Sequence, residues 1–175
     1  MKKLLITISL CLVFVAAEAQ ITKPQGGDTY FEMNASGLSS IGADVSDTYN
    51  GGMMLRVFSS PSRANRFAAD MSLFIGEDDS TELSYLTFTW GIERHMTGSD
   101  RMSTYWGNDV GIAGFEDFDF MMLMGGLFTG FDYFIADGLY LGAEAGFRLY
   151  MDIDPLEIML PGVNMNASFK LGYRF

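Results

Sequence analysis

The sequence is poor in basic residues, histidine and cysteine. Its 175 residues carry 11 Lys and Arg against 22 Asp and Glu, a formal net charge of −11. That balance excludes nucleic acid as a partner, because phosphate binding needs a basic patch. One Cys and one His exclude a disulfide framework, a Cys-based zinc site and the common multi-His metal sites. Long apolar runs are missing beyond residue 19. The uncharged stretches there reach only about a dozen residues, as between Asp119 and Asp132, which is too short for a transmembrane helix. No phosphate loop, nucleophile elbow or metal-ligand spacing occurs, and no cofactor is implied.

What is present is apolar and directional. At 49% hydrophobic and 14% aromatic residues, the chain is too apolar for disorder and its length fits one domain. Met1-Lys2-Lys3 forms a basic start, Leu4 to Ala17 an apolar or small run, and Ala17-Glu18-Ala19 a small-x-small cleavage pattern. Residues 1–19 therefore read as a cleaved signal peptide. A retained anchor would need a longer apolar run, and lipidation at Cys11 would need a small residue where Leu10 stands. The mature domain then spans 20–175, with 9 basic and 21 acidic residues and no cysteine.

Within that domain the period is two. From Val163 to Phe175 every odd position is apolar or aromatic (Val163, Met165, Ala167, Phe169, Leu171, Tyr173, Phe175) and every even one is polar, charged or Gly. Leu139 to Met151 repeats the pattern, as do segments around Leu86–Glu93, Phe67–Ile75, Met53–Val57 and Phe31–Ala35. Two Gly-rich segments, Tyr105–Ala113 and Leu123–Phe134, are noisier. Alternation is the signature of strands with two unlike faces. Eight strands are expected, at about 29–37, 51–59, 66–75, 83–95, 103–113, 122–134, 139–151 and 162–175. Most are far longer than the usual ~5–6 residues and match the ~9–11 of a tilted bilayer-crossing strand. Alternate connections are short, among them Ala136-Asp137-Gly138, a hairpin signal.

The period does not say which face points outward. A soluble periplasmic lipocalin-like binder also alternates, with its apolar face inside. Several features favour apolar-out. The strands are long, the mature chain has only two Lys (Lys23 and Lys170), and strand charges share a face with Gly and small residues. Aromatics gather near strand ends (Tyr30, Phe31, Tyr105, Trp106, Phe134, Tyr140, Tyr150, Tyr173, Phe175), as interfacial girdles would. The expected fold is all-β, an eight-stranded antiparallel up-and-down transmembrane β-barrel.

With its signal peptide, eight alternating strands and terminal Tyr173-Arg174-Phe175, the chain resembles the small outer-membrane β-barrel family. That family includes the transmembrane domain of outer-membrane protein A and the outer-membrane proteins X and W. The resemblance covers the whole mature chain. It implies a Gram-negative-type outer membrane, with outer-membrane lipids and lipopolysaccharide as surroundings. It also implies that the strand ending in Tyr173 and Phe175 is the signal read by the barrel-assembly machinery.

On this register the lumen receives Glu32, Arg56, Asp70, Glu93, Asp109, Asp132, Glu144, Arg148, Lys170 and Arg174, with His95 on the same face. An eight-stranded barrel is only wide enough for side chains to fill, and buried charges must pair. Arg56 with Asp70, and Glu144 with Lys170, are the pairs that adjacent strands suggest. A salt-bridged plug and a gated narrow channel for small or hydrophobic solutes are both compatible with such a lumen. Arg63, Arg66 and Arg101 fall at or beside the turns of one end. The other end collects acid: Glu77, Asp78, Asp79, Glu116, Asp117, Asp119, Asp152 and Asp154 stand among its connections. Oxygen-rich loops suit Ca²⁺ or Mg²⁺, ions that also bridge lipopolysaccharide phosphates; ordinary solvated loop charge is the plainer reading. Catalysis is not expected: the lone His95 lies at the far end from the acidic rim, and a lipid-modifying enzyme would need a positioned base near its substrate. The expected role is structural or interactive at the cell surface, through short acidic loops.

Overall fold

The computed structural model describes residues 23–36, 48–75, 81–96, 98–115, 120–152 and 162–175. The signal-peptide segment 1–19 lies outside them. Eight strands follow in order: β1 Thr29–Ser36, β2 Thr48–Ser60, β3 Arg63–Ile75, β4 Thr81–His95, β5 Met102–Phe115, β6 Phe120–Ala136, β7 Leu139–Asp152 and β8 Gly162–Arg174. Each pairs antiparallel with its sequence neighbours, and β8 closes on β1. No helix among the described residues is long and apolar enough to cross a membrane. The two Gly-rich segments form regular strands like the rest, and β6, one of them, is the longest at 17 residues.

Closure fixes the tilt. A row of paired residues leaves β5 at Tyr105 and passes Gly130, Glu144, Ser168, Ser36, Asn50, Ser72 and Tyr85. It returns to β5 at Phe115, ten residues further along. A stagger of ten residues over eight strands corresponds to a tilt of about 40° at ordinary strand spacings. Residues level in the barrel are therefore not paired residues, which decides who meets whom inside.

The two faces are sorted as in a membrane barrel. Among the described residues, twenty-four large apolar or aromatic side chains are exposed, and those on the strands point outward, from Phe31 and Met33 on β1 to Phe169, Leu171 and Tyr173 on β8. The buried set instead holds Glu32, Arg56, Arg66, Asp70, Glu93, Asp109, Asp132 and Lys170. Burying charge inside a shell of exposed Leu, Phe and Met is unfavourable in water and favourable in a bilayer. The apolar-in arrangement of a soluble binder is not the one adopted.

Large lumen side chains lie over glycines on the neighbouring strand. Tyr105 pairs with Gly130, Asp132 with Gly142, Tyr140 with Gly172, and Phe128 with both Gly107 and Gly146. A Cβ on these glycines would run into the paired side chain itself. Glycine supplies the room that a narrow barrel otherwise lacks. At the short-turn end, Asp137-Gly138 joins β6 to β7, and Gly138 adopts φ of 73°, a conformation that favours glycine.

Candidate functional site

The interior is built in tiers. At the short-turn end, Tyr30, Phe58, Ala64, Phe134 and Tyr140 form a buried apolar floor. Their rings meet edge-on or tilted, Tyr30 with Phe58 at 5.5 Å, Tyr30 with Tyr140 at 5.6 Å and Phe134 with Tyr140 at 5.5 Å between centroids. Three of these, Tyr30, Phe134 and Tyr140, are aromatics expected in an outer girdle. They lie inside because parity decides: Tyr30 shares a face with Glu32, and Tyr140 with Glu144. Tyr105 belongs with them, being buried as well, whereas Phe31, Trp106 and Tyr173 do point outward.

On this floor stands a charge network to which every strand contributes at least one member: Glu32 (β1), Arg56 (β2), Arg66 (β3), Glu93 (β4), Tyr105 (β5), Asp132 (β6), Glu144 with Tyr140 (β7) and Lys170 (β8). Arg56 is the hub. Its guanidinium lies 2.8 Å from Glu32, 2.8 Å from Glu93 and 2.7 Å from Asp132, and it donates to the Tyr140 hydroxyl at 3.0 Å. Arg66 grips Glu144 with two nitrogens, at 2.8 and 3.0 Å, and reaches Glu93 at 3.3 Å. Lys170 lies 3.3 Å from both Glu32 and Glu144 and donates to the Tyr105 hydroxyl, which itself donates to Glu144 at 3.1 Å. The Arg56 guanidinium also sits over the Tyr105 ring at 4.7 Å, and that of Arg66 over Phe128 at 3.9 Å.

Nearer the open end a second cluster forms. Arg148 approaches Asp70 at 3.6 Å and Asp109 at 3.4 Å, and Asn34 donates to Asp70 at 2.9 Å. Between the two clusters the buried Thr87 and Thr89 hydroxyls, Arg66 Nε and Asp109 Oδ1 have no hydrogen-bond partner among the described residues. They mark a polar section of the lumen whose groups need water to be satisfied.

The expected lumen residues thus lie inside, except Arg174 at the mouth, but their pairing differs in part. Glu144 and Lys170 meet. Arg56 and Asp70 do not, because the Pro61-Ser62 turn sets Arg56 opposite Arg66 and Asp70 opposite Gly52. Arg56 takes partners from β1, β4 and β6 across the lumen, and Asp70 takes Arg148 from β7. Arg66, read from sequence as an end residue, is a core member; β3 begins at Arg63, which puts Arg66 four positions from the turn on the lumen face. Arg174 lies at the mouth, bound to Asp28 at 3.3 Å and Asp137 at 2.7 Å. Tyr105 and Tyr140 were missed as network members; their even spacing from lumen acids was the available signal.

His95 sits at the edge of the floor. Its Nδ1 is 2.9 Å from the Ser103 hydroxyl and its Nε2 3.2 Å from Glu93. The order serine, histidine, carboxylate resembles a hydrolytic triad, but Glu93 is already held by two arginines and Ser103 is only 6% exposed. The three form a hydrogen-bonded corner of the lumen.

The acidic rim residues Glu77, Asp78, Asp79, Glu116, Asp117, Asp119 and Asp154 lie outside the described residues. Asp152 ends β7, but its side chain is also outside them. At the C-terminus, Tyr173 pairs with Phe31 and Leu139 and points outward, and Phe175 N–H donates to the Thr29 carbonyl at 3.2 Å.

Fold, inverted faces and charged interior together define a small outer-membrane-type β-barrel. No protein-family model matches the sequence, and no curated protein matches it. Solved structures do. The N-terminal β-barrel domain of Pseudomonas aeruginosa OprF is similar with a TM-score of 0.57 at 12% identity, over 86% of this chain and 98% of that one. The P. aeruginosa outer-membrane protein OprG gives 0.48 at 16% identity, over 89% and 99%. The Yersinia pestis outer-membrane protein Ail, in a phospholipid bilayer nanodisc, gives 0.47 at 12%, over 85% and 99%. The OprF likeness, at this identity, is one of fold.

Proposed function

We propose that this protein is an exported outer-membrane barrel with a closed lumen, acting structurally or as a surface contact rather than as a pore or an enzyme. The observation that carries the reading is the charge network to which all eight strands contribute. Charges that bind each other across a narrow barrel both fill it and tie its walls together. The aromatic floor adds a second, apolar barrier below.

In this reading residues 1–19 are removed on export and the short-turn end faces the periplasm. The acid-rich connections, with Glu77–Asp79, Glu116–Asp119, Asp152 and Asp154, then stand at the cell surface. There they meet lipopolysaccharide, with divalent cations between carboxylate and phosphate. Tyr173 and Phe175 present the terminal strand to the assembly machinery. Planar-bilayer recording of the folded protein tests the closed lumen. No steady conductance is expected; steady steps that disappear when Arg56 or Lys170 is replaced would establish the narrow-channel reading instead.

A further inference from the structure

The outer wall of β3 to β5 carries an arrangement that neither the lumen nor the rim explains. Arg63 and Arg94 are directly paired across β3 and β4 and both are exposed on the outer face. Like charges directly opposite each other destabilise a sheet. Among the described residues neither has an ion-pair partner; two acids of the same end, Asp28 and Asp137, are taken by Arg174. Arg94 is held 5.4 Å over the ring of Trp106, its pair on β5. Trp106, Tyr133 and Tyr173 are all exposed near the short-turn end, at the level where amphipathic side chains meet lipid headgroups.

Polarity then falls off along the same two strands. Two residues from the arginines, about 7 Å along the strand, come Asn65 and Ile92. Next come Phe67 and Trp90, then Ala69 and Phe88. Ala69 is the small residue of its row, flanked by Met53 and Phe88. Above it lies an open apolar groove of about 620 Å³, with Phe67, Phe88, Trp90, Val110 and Ile112 along its sides.

We propose that this wall is a binding site for one anionic phospholipid of the leaflet at the short-turn end. Its phosphate lies between Arg63 and Arg94, its ester region beside Asn65, and an acyl chain in the groove over Ala69. The headgroup resolves the repulsion between the two guanidiniums, and the groove gives the chain a shape that a smooth wall would not. The site rests on the membrane-barrel reading.

The only two tryptophans of the chain, Trp90 and Trp106, both lie at this site, so tryptophan fluorescence, excited where tyrosine does not absorb, reports on it alone. The folded protein is reconstituted in phosphatidylcholine vesicles carrying a minor fraction of acyl-brominated lipid, either phosphatidylglycerol or phosphatidylcholine. Brominated phosphatidylglycerol should quench as if enriched on the order of tenfold at the wall, from two basic groups near one anion. In R63Q/R94Q, with heat-modifiable gel mobility retained, the preference should fall to none. Added inorganic phosphate should leave the wild-type preference in place, since a free anion lacks the acyl contact. Equal quenching by both lipids, a preference that survives in R63Q/R94Q, or one erased by phosphate would each overturn the lipid site. Quenching by neither lipid would overturn the membrane reading and the site with it.

Discussion

Arg56 is where the interior depends most on one side chain. Three carboxylates face it within 2.8 Å, and all four groups are buried. Replacing Arg56 by Met keeps much of the volume but leaves Glu32, Glu93 and Asp132 with Arg66 and Lys170 as their remaining Arg or Lys partners. Removing one partner of a buried pair costs about 3–5 kcal/mol, because the remaining charge stays desolvated. R56M should therefore lower the urea-unfolding free energy in detergent micelles by that amount. Replacing exposed Asp100 in the β4–β5 turn by Asn should change it by less than about 0.5 kcal/mol. A loss under about 1 kcal/mol in R56M would show that water, not Arg56, neutralises the acids.

At the scale of elements, the strands are held apart and together by which residue faces which glycine. A Cβ at Gly130 would overlap the Tyr105 hydroxyl, whereas one at Gly125, also on β6, would meet nothing closer than the Asp109 carbonyl at 3.9 Å. G130V should cost about 1–3 kcal/mol by overpacking and displace Tyr105 from Glu144 and Lys170. G125A should be neutral or slightly stabilising, since it only restricts the unfolded chain. Equal effects in the same unfolding assay would contradict the packing described. Strand positions were readable in advance, because alternation over nine or more residues has no competing pattern. Ends were less so: β3 starts three residues before the first alternating apolar residue suggests, and that shift hid Arg66. Nearness to a strand end was likewise a poor guide for Tyr30, Tyr105, Phe134 and Tyr140, where parity already placed them on the lumen face.

At the scale of the whole molecule, the partners of Arg56 were not legible at all. Local hairpin reasoning pairs β2 with β3, but the ten-residue stagger lifts Glu93 and Asp132 to the level of Arg56 from strands that do not pair with β2. That stagger is a property of closure, summed over eight registers, and no single segment carries it. Which face pointed outward was legible only through weak signs, such as two lysines in the mature chain and Gly beside charge. The structure makes the same point strongly, with exposed Phe, Leu and Met outside and paired charge inside. The central claim is that this inverted, closed barrel sits in a membrane. Its most direct test is gel mobility in SDS of the membrane fraction before and after boiling. The protein should stay with the membranes, and the unboiled band should migrate apart from the boiled one, because a closed barrel resists SDS until heated. A single band at one position, from protein released into the aqueous fraction without detergent, would contradict it.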